Sequence, residues 1–97
     1  MPKGYWIAHV DVHDPESYKA YIAALPAVWE KWGARYLIRA GQSTPAEGET
    51  AGARHVVIEF PSYAAALDCY NSPEYQAARA HRVSASTGSI TVVEGYE

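Results

Sequence analysis

The sequence predicts an α+β fold. Short runs with two-residue hydrophobic alternation and β-branched residues read as strands. Longer runs with apolar residues three and four apart, opened by a capping side chain and a proline, read as helices. In chain order they give strand, helix, strand, strand, helix, strand.

Residues 4–12 form the first strand, with Trp6, Ala8, Val10 and Val12 on an apolar face and Tyr5, Ile7, His9 and Asp11 on a mixed one. Asp14-Pro15-Glu16 starts a helix: the Asp14 carboxylate accepts from free amides of the first turn, and Pro15 suits the first helical position. Tyr18, Ile22, Leu25, Trp29 and Trp32 mark its buried stripe and Gly33 its end. Pro26 removes one backbone donor inside it and should bend it.

Residues 35–40 form the second strand, a loop rich in Gly, Ser, Thr and Pro covers 41–53, and 54–60 form the third strand. Ser62 caps the next helix, with Tyr63, Leu67 and Tyr70 as its expected buried face. Asn71-Ser72-Pro73-Glu74 breaks and restarts it, and the second piece places Tyr75, Ala78, Arg79 and Arg82 together. Residues 84–88 read as a turn and 89–94 as the last strand.

The split βαβ, ferredoxin-like arrangement accommodates this order: one antiparallel sheet, strand order 4-1-3-2, both helices on one face. The opposite face, carrying Ile7, Leu37 and Val57, is too apolar to leave in water. A two-fold homodimer through that face is the expected remedy, giving a dimeric α+β barrel.

Composition narrows the function. Ninety-seven residues suffice for one domain, residues 1–97, and 48% hydrophobic content fits a globular chain. Eight basic and eleven acidic residues give a net charge of −3, which argues against a nucleic-acid partner. Cys69, the single cysteine, precludes an intramolecular disulfide and suits a reducing cytoplasm; it reads as a small helix residue. No segment is long and apolar enough to span a membrane, and the first residues lack a secretory-signal pattern. Neither a GxGxxG loop, a P-loop nor a GxSxG elbow occurs, so no cofactor is expected.

Gly4-Tyr5-Trp6-Ile7, Asp14-Pro15-Glu16-Ser17-Tyr18, Gly33, Arg39, Gly41 and Glu47-Gly48 together resemble the domain-of-unknown-function family 1330. The second half agrees through Val57-Ile58-Glu59-Phe60-Pro61-Ser62, Tyr70-Asn71-Ser72-Pro73-Glu74-Tyr75, Arg82 and Glu94-Gly95. The resemblance covers nearly the whole chain. Ala40 stands where the family pattern has a second glycine before Gly41, and Ala46 where it has an aliphatic residue. The resemblance implies the dimeric α+β barrel superfamily, which includes cofactor-free monooxygenases, lactone isomerases, haem enzymes and members with no known activity.

Alternation gathers the candidate chemistry on the mixed face. His9 and Asp11 of the first strand meet His55, Val57 and Glu59 of the third, and regular register adds Arg35, Leu37 and Arg39. One reading is a polar layer serving the dimer, with Arg39 paired to Glu59. A second is a pocket for a small organic acid or aromatic metabolite. There His9 or His55 is the base, Glu59 orients it, Arg39 holds an anionic oxygen, and Asp11 and Tyr5 complete the contacts. A third is a metal site from His9, His55 and a carboxylate, unsupported by any HxH or HExxH spacing. Arg82 reads either as a helix-end contact or as a functional position, and the 41–53 loop, if functional, as a lid.

Overall fold

The structure, a computed structural model, describes residues 2–49 and 53–97. The elements are β1 (Gly4–Val12), α1 (Pro15–Trp32), β2 (Arg35–Arg39), β3 (Arg54–Phe60), α2 (Tyr63–Tyr70), α3 (Pro73–Val83) and β4 (Ser86–Glu94). The four strands form one antiparallel sheet in the order β2-β3-β1-β4, as the ferredoxin-like arrangement requires. Part of the 41–53 loop, residues 50–52, falls outside the described residues.

Local chemistry sets the boundaries. Asp14 accepts from the Ser17 amide at 3.2 Å and caps α1, and Gly33 ends that helix at φ 65°, donating back to the Trp29 carbonyl. Ser62 and Ser72 cap α2 and α3 by accepting from the amides of Ala65 and Tyr75. Helix α1 runs unbroken through Pro26, which lies on its exposed side.

The core lies between the sheet and the helices. Trp6 is its centre: Trp29, Phe60, Tyr70 and Tyr75 surround its ring edge-on, with centroids 5.4, 5.0, 5.7 and 4.8 Å away. Its indole N–H donates to the Ala66 carbonyl at 2.9 Å, so this buried donor is satisfied, whereas the buried Trp29 indole N–H has no hydrogen-bond partner.

Three local expectations are corrected. Helix α2 buries Ala66 and Cys69, whereas Tyr63 is exposed and Leu67 and Tyr70 are half-buried. Small side chains there let the helix entrance come so close to β1 that a Cβ on Gly4 would meet the Ser62 carbonyl oxygen at 2.4 Å. Strand β4 starts at Ser86, so part of the expected turn is strand; Gly88, opposite Val10, has φ 154°, and a Cβ there would lie 2.0 Å from the His9 carbonyl oxygen. The third correction is a register shift in β2 between Tyr36 and Ile38, and it rearranges the predicted site.

Candidate functional site

The open sheet face carries most of the predicted polar residues. His9 and His55 are directly opposite each other on β1 and β3, and their Nδ1 atoms are 2.9 Å apart, a hydrogen bond in which one imidazole donates. Glu59, opposite Tyr5 on β1 and Arg35 on β2, accepts from Arg35 Nε at 2.9 Å and Lys3 Nζ at 3.2 Å. Partial burial pushes its carboxyl up, but the hydrogen bonds and charges of Lys3 and Arg35 outweigh this and hold it below its ordinary value. Tyr5 is half-buried; exposed Asp11 accepts from the Ala53 amide at 2.9 Å.

Arg39 does not join them. The extra residue in β2 puts Ile38 opposite Val57 and Arg39 opposite Val56, a core-facing residue. The Arg39 guanidinium lies over the Tyr36 ring at 4.8 Å instead of pairing with Glu59; Arg35 takes that partner. Ala40 then turns the chain at φ 56°, the left-handed region in which the family pattern's glycine is unstrained.

The helix-covered face holds a second arrangement, which the sequence reading did not assemble. A narrow cleft opens between α1, the end of α3 and the sheet, walled by Tyr18, Tyr21, Leu25, Tyr36 and Ile58. Its cavity volume is about 30 Å³, room for a water or two, so an organic ligand enters only as its walls part.

Two guanidinium groups enter this apolar cleft, Arg54 from the start of β3 and Arg82 from the end of α3. Both Nε atoms are buried without a hydrogen-bond partner. Arg54 lies over the Tyr18 ring and Arg82 over the Tyr21 ring, each at 5.5 Å. Among the described residues no carboxylate lines the cleft. Arg79 Nε is also buried and unpartnered, but Arg79 does not line it.

Near Arg82, the Tyr21 and Tyr75 hydroxyls are 2.9 Å apart and share a hydrogen bond. Burial pushes both phenols above their ordinary values. Burial alone would lower Arg82, but the neighbouring tyrosines more than offset it, so the guanidinium stays charged. The buried Cys69 thiol is pushed up to about 12, chiefly by burial, and remains a neutral packing group. Among the described residues no three His, Cys, Asp or Glu side chains cluster as metal ligands.

The signal for this cleft was present in the sequence. Arg54 is in phase with Val56, Ile58 and Phe60, so alternation already directs a charge toward the core. Arg82 is in phase with the buried residues Tyr75 and Ala78.

Comparison with solved structures agrees with the fold. A protein of unknown function from Rhodopseudomonas palustris, RPA0582, superposes with a TM-score of 0.77 at 18% identity, covering 99% of this chain and 84% of that one. SnoaB, a cofactor-independent oxygenase from Streptomyces nogalater, gives 0.64 at 9% identity, covering 100% and 96%. Rv0793 from Mycobacterium tuberculosis gives 0.56 at 21% identity, covering 98% and 96%. No curated protein matches the chain. The match that defines its family runs over residues 3–96, nearly end to end, and the protein belongs to the domain of unknown function family DUF1330.

Proposed function

We propose that this protein binds a small, flat organic anion, an aromatic or conjugated acid, in the cleft between the helices and the sheet. The observation that carries this reading is the pair of buried, unpartnered guanidinium Nε atoms of Arg54 and Arg82 beside a cleft that, among the described residues, no carboxylate lines. Buried donors without partners are costly, and a carboxylate or enolate oxygen satisfies them by charge-assisted hydrogen bonds. Chemistry open to such a site is proton transfer and oxyanion stabilisation without a cofactor. The likeness to a cofactor-independent oxygenase supports that chemistry at the level of the fold alone.

A thermal-shift and titration series with benzoate, benzamide and benzylamine tests the reading. Benzoate is expected to raise the melting temperature and the other two to leave it unchanged. Arg82→Gln and Arg54→Gln should each weaken benzoate roughly tenfold or more. No response to benzoate, or equal responses from all three probes, would overturn it.

A second reading concerns the open sheet face and is favoured by the His9–His55 hydrogen bond and the double ion pairing of Glu59. These groups are satisfied by one another, so we assign them to packing against a second copy of the chain and not to catalysis. Ile7, Val57, Ile38 and Val93 supply the apolar part of the same surface. The dimer then closes the barrel and leaves one cleft per subunit on its outer, helical side.

A further inference from the structure

We infer that His9 and His55 form a bidentate metal site on the open sheet face, taking a divalent transition metal of tetragonal preference, Cu²⁺ or Ni²⁺, in two neighbouring equatorial positions. The inference does not use the cleft, and its test stands apart from the benzoate titrations.

The sheet brings the two rings together. His9 and His55 are directly opposite each other on β1 and β3, its two central strands, so their backbones are held in place. Their Nδ1 atoms lie 2.9 Å apart and their ring planes cross at 80°. Both residues are half-buried, and small residues flank them in the sheet. Exposed Ser89 is opposite His9 on β4, and the Ala40 amide donates to the His55 carbonyl at 2.8 Å.

A hydrogen bond between two neutral imidazoles uses one Nδ1–H and one Nδ1 lone pair. A metal ion replaces that bond. The donor ring's proton moves through water to its own Nε2, which frees both Nδ1 lone pairs without net gain or loss of a proton. The terminal torsion of histidine is broad, so both rings can turn toward one point on the open side of the sheet. At a metal–imidazole distance of about 2.0–2.1 Å, nitrogens 2.9 Å apart subtend about 90° at the metal. A tetrahedral ion at the same bond length needs its nitrogens about 3.3 Å apart. The spacing therefore suits two cis positions of a tetragonal ion.

The surrounding charge favours a cation. Asp11 lies two residues from His9 on the same face, and Lys3 and Arg35 are held by Glu59, four residues along β3 from His55. Among the described residues no third His, Cys, Asp or Glu closes on the pair, so water takes the remaining positions. Cys69, the single thiol, is buried and does not compete for the metal.

The full chain is titrated at neutral pH with Cu²⁺, Ni²⁺, Zn²⁺ and Mg²⁺, and the copper form is examined by electron paramagnetic resonance. Cu²⁺ and Ni²⁺ are expected to bind, Zn²⁺ more weakly and Mg²⁺ not at all. The copper spectrum is expected to be axial, with splitting from two imidazole nitrogens. His9→Ala and His55→Ala each leave a single imidazole and should weaken Cu²⁺ roughly tenfold or more, whereas His13→Ala and His81→Ala should bind like wild type. Melting curves monitor folding; should a variant fail to fold, the wild-type copper spectrum decides. A spectrum showing fewer than two nitrogens, unchanged affinity in His9→Ala or His55→Ala, or no binding at millimolar Cu²⁺ would overturn the site. Zn²⁺ binding as tightly as Cu²⁺ would overturn its tetragonal geometry.

Discussion

The two faces of the sheet handle charge in opposite ways. On the open face the polar side chains partner one another: His9 and His55 share a hydrogen bond, and Glu59 pairs with Arg35 and Lys3. Against the helices, where desolvation makes charge more costly, Arg54 and Arg82 line an apolar cleft with no carboxylate among its described residues. A polar cluster that satisfies itself is suited to packing, whereas buried donors without partners gain from a ligand that can reach them. On the proposed reading the polar-looking face is the interface and the apolar-looking face the binding site.

Disturbing the core beneath the cleft should have the largest effect. Trp6→Ala removes the ring on which four aromatic side chains converge and the indole hydrogen bond to the Ala66 carbonyl. It should cost about 3–5 kcal/mol in a denaturant titration. A loss under 1 kcal/mol would mean that the aromatic cluster does not hold the helices to the sheet.

Disturbing the open face should affect assembly before folding. Val57→Lys puts an unpaired charge at the centre of that face, opposite Ile7 and Ile38. Sedimentation should show an assembly weakened by roughly tenfold or more, with a melting curve near that of the wild-type monomer. A wild-type protein that stays at 10.6 kDa at micromolar concentration would remove the interface reading altogether.

Acid should loosen the open face as well. The folded-state ionisation of Glu59 is shifted down, so its stabilising contribution is fully present above the ordinary carboxylate range. That contribution is lost as pH falls through the lowered folded value. Glu59→Gln should therefore flatten the acid limb of a stability–pH profile without altering the neutral plateau's shape. An unchanged acid limb would show that the Arg35 and Lys3 pairing does not persist in solution.

The smallest effect is expected at the end of β2. Ala40 has φ 56°, so Ala40→Gly should relieve backbone strain and raise stability by roughly 0.5 kcal/mol after the added flexibility of the unfolded chain. A clear loss in a chemical melt would show that the left-handed turn is not maintained.

Regular elements were legible from sequence where one local signal dominated. Asp14, Ser62 and Ser72 announced the helix starts, and alternation sorted His9, His55 and Glu59 onto one face. Legibility failed where geometry depended on a neighbour. Nothing in Arg35-Tyr36-Leu37-Ile38-Arg39 marks the register shift, because pairing with β3 decides it, and one extra residue moved Arg39 away from Glu59. The cleft was missed for a different reason. Arg54 and Tyr21 were in phase with the core, but a core-facing arginine becomes a site only when a second one, Arg82 from a distant helix, meets it across the same space.

The most direct test sets the two faces against each other in one titration. Benzoate binding is measured calorimetrically for wild type, Arg54→Gln, Arg82→Gln, His9→Ala and His55→Ala, each first confirmed folded by its melting curve. The account predicts that the arginine variants lose roughly tenfold or more in affinity while the histidine variants bind like wild type. Loss of binding in the histidine variants with the arginine variants unaffected would place the ligand on the open face and contradict it.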